Sequence, residues 1–202
     1  MVFIILLIVL VFFVTAFISF FVQIRRMNAE TFRRLCSKKV QRISKRHNFY
    51  YLNDVDLTNY ESEKLTVNHV IFGRKFIYLI SDFLLKGFIS GEEKDNSWIY
   101  FDNVKKTTHY LRNLHAISDK NIRDFAEILQ VSPEPIVSIC LVPNICDFKV
   151  KSENSDKKLI VHSSSLSRII RKYERRRIGE LDIEQVIDEF NTIKAKNNEE
   201  SK

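Results

Sequence analysis

Glycine and proline are scarce, four and three in 202 residues. No flexible or polyproline linker divides the chain, and collagen-like and low-complexity classes are excluded. Cysteine falls short of a disulfide framework: Cys36, Cys140 and Cys146 are an odd number with no CxxC, as expected of reduced thiols that serve as small packing residues. No P-loop, GxGxxG, GxSxG or HExxH is present, and His47, His69, His109, His115 and His162 lack zinc-ligand spacing. Internal repeats are missing too. Most telling, residues 2–24 carry no charge and nothing more polar than Thr15, Ser19 and Gln23.

That run of 23 residues extends about 34 Å as a helix, enough to cross a hydrocarbon core of about 30 Å with slight tilt. A cleaved signal peptide would need a basic start and a small-residue cleavage site. Nothing basic precedes the run and it ends on bulky Phe20, Phe21 and Val22, so it is expected to be a retained anchor. Arg25, Arg26, Arg33, Arg34, Lys38, Lys39, Arg42, Lys45 and Arg46 all follow it, against the single acid Glu30. Basic flanks stay in the cytoplasm, which places the N-terminus outside the cell membrane and the rest inside. The formal charge of the whole chain is +7. Since residues 25–46 alone sum to +8, the remainder is near neutral and the excess belongs beside the bilayer, where anionic lipid attracts each cation by about 1 kcal/mol. A second cluster, Arg168, Arg171, Lys172, Arg175, Arg176 and Arg177, could track phosphates or simply form a solvated helix face.

Residues 28–46 have Phe32, Leu35, Cys36 and Val40 near helical spacing, which predicts a helix leaving the membrane. Strands are predicted at 49–57, 65–72 and 76–80, the last apolar on both faces and so central, with a turn at Gly73. Residues 87–91 and 98–101 predict a hairpin around the polar stretch 92–96. The period then changes: 107–130 predicts a helix, with a candidate break at Ser118 and Asp119, stopped by Pro133 and Pro135. A buried strand at 136–142 and shorter ones at 147–150 and 159–162 follow. Ser163, Ser164 and Ser165 are candidate caps for a helix through Tyr173, and Asp182 with Gln185 has capping-box spacing for a last helix over 183–195. The expected organisation is an anchor (1–24), a basic juxtamembrane helix (25–46), an α/β domain with a central mixed sheet flanked by helices (47–177), and a C-terminal helix with a polar tail (178–202).

Residues 66–98 resemble the core of the NERD (nuclease-related) domain of the restriction-endonuclease-like superfamily. His69, Gly73, the strand 77–80, Lys86, Gly87, Ile89, Gly91 and Trp98 carry the resemblance, which extends over roughly 45–175. It implies a restriction-endonuclease-like sheet and, in active relatives, an Asp and a Glu holding a divalent metal beside a Lys that helps position the attacking water. This chain departs from the pattern at all three positions, with Asn68 at the Asp, Ser81 at the Glu and Phe83 at the Lys. Asp82 follows Ser81, but strand alternation turns it to the opposite face. Asp54, Asp56, Glu61 and Glu63 are nearby acids whose simplest role is surface solvation. His69 is expected to be structural, not a general base.

The expectation is therefore a catalytically inactive NERD-like module on the cytoplasmic face that binds or scaffolds. Its partners would be the lipid bilayer and a protein or nucleic acid of unspecified identity, with neither metal nor cofactor. The alternative is a membrane-tethered nuclease using Mg²⁺ and relocated acids.

Overall fold

The computed structural model describes residues 6, 9–17, 22, 27–58, 64–151 and 156–200, with the side chains of 195–200 excepted. Among the described residues no helix is long and apolar enough to cross a membrane. The expected span over 2–24 falls mostly outside them, as do Arg25 and Arg26.

Helix α1 (Ala29–His47) starts where Asn28 Oδ1 accepts from the Thr31 amide at 2.7 Å, and ends at Asn48 in a left-handed conformation. Phe32, Cys36, Val40 and Ile43 recur at helical spacing along one side, and all are buried. The stripe packs against a five-stranded mixed sheet of β1 (Tyr50–Thr58), β2 (Lys64–Phe72), β3 (Ile77–Asp82), β7 (Ile136–Val142) and β9 (Lys158–His162), in that order across the sheet. The first three strands are antiparallel neighbours, and β3, β7 and β9 run parallel. Every residue of β7 is buried, as a parallel strand covered on both faces requires.

A second sheet holds β6 (Thr107–Arg112), β5 (Ser97–Asp102), β4 (Gly87–Glu92) and β8 (Asp147–Lys151) in that order. Its β4–β5 hairpin sets Trp98 fully inside, with the indole N–H on Glu92 O at 2.8 Å. A Cβ on Gly91 would meet Trp98 Cδ1 at 2.1 Å, so only glycine lets the indole lie against the strand. Helix α2 (Leu114–Ile128) bridges the sheets.

The predicted helix over 107–130 is corrected at both of its details. Its first six residues are β6, paired antiparallel with β5 from Ser97↔Arg112 to Asp102↔Thr107. The two threonines and Tyr110 suit an extended edge, and Asn113 supplies the helix start by accepting from the His115 and Ala116 amides. No break occurs at Ser118, which is buried against Cys140 Sγ at 3.6 Å. The serines 163–165 form a 3-10 turn (Ser163–Ser165) without a side-chain cap on α3 (Leu166–Glu174). Asn144 Oδ1, from the β7–β8 loop, instead receives Ser163 Oγ and the Ser164 amide. Asp182 does cap α4 (Ile183–Glu200) through the Gln185 amide at 3.2 Å.

Helices divide between the faces of the larger sheet. Helices α1 and α3 cover one side, where Phe32, Val40 and Ile43 meet Tyr78, Ile80 and Ile139 beneath Leu166, Ile170 and Tyr173. Helices α2 and α4 cover the other, where Phe125 and Phe190 close on Phe72, Ile77 and Leu79. The architecture is α/β with mixed sheets flanked by helices.

Candidate functional site

Strand β2 leaves β3 after the rung His69↔Ile80, yet stays paired with β1 out to Lys64, while β3 continues along β7 to Asp82↔Leu141. The sheet therefore forks just beyond His69 and Ile80. Asn68 and Ser81 stand at the opening, and Phe83 follows one residue after β3 ends. The fork is also where inward-facing positions change phase. On β2 they run Leu65 and Val67, then Val70 and Phe72; on β1 they pass from Leu52 to Val55 without a shift in register. Asp54 takes up part of this twist at φ 52°, a left-handed value that Asp tolerates better than most side chains.

Asn53, Asn68, His69 and Asp82 bond to one another at the fork. Asn68 Oδ1 accepts from the Asp82 amide at 2.8 Å, standing in for the ladder bond that the fork removes. His69 and Asp82, with side chains 1% and 4% exposed, are joined Nε2 to Oδ2 at 2.8 Å. On the other side of the ring, His69 Nδ1 lies 2.7 Å from Asn53 Oδ1. Both ring nitrogens thus face oxygens, the pattern that an imidazolium satisfies; a neutral ring would require the Asn53 amide to be turned over. Asp82 Oδ1 has no conventional partner. The Cys36 thiol of α1 faces the Asp82 carboxylate, and burial together with that negative charge pushes the thiol up.

This arrangement is the wrong way round for nucleophilic chemistry. A reactive cysteine needs a base or cation that lowers its pKa, whereas Cys36 faces a carboxylate that holds its proton. Metal binding is no better served. A hard divalent ion wants several oxygen ligands, charged ones among them, and the fork offers one carboxylate already committed to His69, an amide oxygen and the Ser81 hydroxyl. Among the described residues no group of three His, Cys, Asp or Glu could hold a metal ion. Of the candidate relocated acids, Asp54 is exposed and ion-paired with Arg33, Asp56 is exposed, and Glu61 and Glu63 lie outside the described residues. Phe83 is partly buried in the apolar cluster that holds Leu85, Ile89 and Trp98.

The basic clusters, far apart in sequence, share one side of the larger sheet because α1 and α3 both pack there. Arg34, Lys38, Arg42, Lys45 and Arg46 are exposed on α1; Arg168, Arg171, Lys172, Arg175 and Arg177 are exposed on or just after α3. None of these ten forms an ion pair among the described residues. Arg176 differs, since it lies 4.1 Å over the Tyr173 ring and reaches Asp156 at 3.4 Å, so it is part of the packing. Opposite, α4 presents Glu184, Asp188 and Glu189.

One concavity lies on the basic side. A groove of about 390 Å³ runs between α1 and the β7–β8 loop, with Lys38, Lys39 and Arg42 along it and Cys36 in its wall. The sequence marked those three only as part of a charged stretch. Asn53 and Cys36 as partners of the His69–Asp82 pair went unseen, although polar residues interrupting apolar strands at 53–54 and 68–69 were a visible signal. Comparison with protein-family models, with curated proteins and with solved structures finds no match, so a functional assignment rests on the chain's own side chains.

Proposed function

We propose that the chain is a catalytically inactive NERD-like module, tethered to the cell membrane through residues 2–24 with its N-terminus outside, and serving as a binding or scaffolding unit on the cytoplasmic face. The observation that carries the loss of catalysis is the closed fork. Asn68, Ser81 and Phe83 stand where the resemblance calls for two acids and a lysine. Among the described residues the buried carboxylate at the fork, Asp82, is already joined to His69. A mixed sheet with helices on both faces accords with the fold that the resemblance implies.

Two features support the tether. Within 9–17 the chain is helical, and Leu10, Phe12, Phe13 and Phe17 are each at least 61% exposed, so the described part of the helix presents large apolar side chains outward. Thr15, the one hydroxyl among these described residues, bonds back to the Val11 and Phe12 carbonyls, so it would be satisfied in hydrocarbon. Helix α1 then buries its own apolar stripe in the domain. It cannot lie on the bilayer apolar face down, and it meets lipid through its basic side.

The test uses the full chain in detergent, incubated with plasmid and with single-stranded DNA plus Mg²⁺ or Mn²⁺. No EDTA-sensitive cleavage is expected. Cleavage lost in EDTA, and lost again in Asp82→Ala or Asp54→Ala, would overturn the inactive reading. Alkaline carbonate washing of membranes addresses the tether separately: the chain should stay in the pellet, and release into the supernatant refutes the anchor.

A further inference from the structure

We propose that the groove beside α1 is a binding site for a single anionic phospholipid, its phosphate held by Lys38, Lys39 and Arg42 and the first part of an acyl chain laid along the apolar wall. The wall comes from Met27, Phe32 and Leu35 on one side and Pro143 and Ile145 on the other. At about 390 Å³ the space falls within the range of ordinary small-molecule sites. Leu35 is 53% exposed at its edge, an uncovered apolar side chain next to cations.

Charge selects the headgroup. Lys38, Lys39 and Arg42 make no ion pair among the described residues, and no Asp or Glu lines the groove. Lys38 and Arg42 are four residues apart on one helix face, a like-charged spacing that destabilises the free helix and that an anion between them relieves. Burial pushes Lys39 down, with Cys36 opposing and Arg42 adding to it, and a bound phosphate would favour its charged form. Asn144 Oδ1 is taken up by Ser163 and Ser164, which leaves its NH₂ as a further donor at the same groove.

Location selects a lipid over a free phosphate, and this step rests on the tether proposed above. Only Arg25 and Arg26 separate Ile24 from Met27, so three Cα steps put the groove's near end within about 11 Å of the end of the apolar run. The headgroup layer is about 5–8 Å deep on each side of the core. A lipid from the adjoining leaflet can reach the groove without leaving its layer by more than a headgroup's length.

The full chain in a nonionic detergent is titrated with short-chain phosphatidylglycerol, with phosphatidylcholine of equal chain length and with inorganic phosphate, and retained molecules are counted by native mass spectrometry. One phosphatidylglycerol per chain is expected, displaced by neither competitor. Lys38→Glu with Arg42→Glu should weaken it by about tenfold or more, as should Leu35→Glu, which puts a carboxylate in the acyl path. Lys45→Glu with Arg46→Glu, the same charge change on α1 beyond the groove, should leave it unchanged. Equal retention of phosphatidylcholine, displacement by inorganic phosphate, or equal loss in both double variants overturns the proposal. Carbonate release with phosphatidylglycerol still bound would refute the anchor alone; pelleting without selective binding would refute the groove alone.

Discussion

The fork in the larger sheet and the groove beside α1 meet at Cys36 and handle charge in opposite ways. At the fork, His69, Asp82, Asn53 and Asn68 satisfy one another, and the two ionisable side chains are almost sealed from water. Along the groove, Lys38, Lys39 and Arg42 face a concavity with no acid in reach among the described residues. Polar groups consumed by each other hold a fold together; polar groups left without a protein partner are the ones available to a ligand. The contrast moves the functional focus from the position that the NERD resemblance singles out to the helix that the sequence marks as a basic juxtamembrane stretch.

Breaking the fork should produce the largest effect. His69→Ala or Asp82→Ala leaves its partner buried alone and should cost about 3–5 kcal/mol, read as a shift in the urea midpoint of the α/β domain's signal in the full chain. Replacing both with leucine should recover at least about 1 kcal/mol of either loss, because no stranded charge remains. Single variants of near-native stability would mean that the pair is not sealed as described.

A second histidine sharpens the comparison. His115 is buried against Trp98 at 5.1 Å, and its Nδ1 has no partner, unlike either nitrogen of His69. Burial pushes its pKa below the ordinary 6.5; Lys158 adds to that, while Glu93 and Asp119 oppose it. The unfolded chain then binds the proton more readily than the folded one. Stability should be full above the unfolded value, fall as pH drops through about 6.5, and level off below the folded value. Urea midpoints between about pH 8 and about pH 5 should fall less steeply in His115→Gln than in the parent chain. Parallel curves would remove His115 as a contributor.

The smallest effect belongs to the groove. Lys38→Glu and Arg42→Glu should each change stability by no more than about 0.5 kcal/mol, since both side chains are exposed and neither supports the fold. A loss comparable to that of His69→Ala would erase the distinction between the two regions.

Much of the framework is legible in the residues. The apolar run 136–142 and the alternation at 65–72 announce β7 and β2, and Gly91 with Trp98 marks a hairpin that only a missing side chain permits. The helix expected from residue 107 fails because Thr107–Arg112 is short and amphipathic in either period, and pairing with β5 decides it. The fork was half visible. Asn68 and Ser81 stand out as neutral residues where the NERD resemblance would place acids, but nothing local connects Asp82 to His69, thirteen residues away, or to Cys36 on a helix.

By itself the amino-acid order determined which segments are extended or helical, how few acids lie near Asn68 and Ser81, and where positive charge is dense, since each follows from side-chain type and spacing along one stretch. Tertiary structure alone decided that α1 and α3 cover the same face, that Asp82 closes on His69, and that the β7–β8 loop completes a groove with α1. Those outcomes depend on which strands become neighbours and on which face each crossover returns. Packing and loop closure settle such choices between distant segments, and no local preference encodes them.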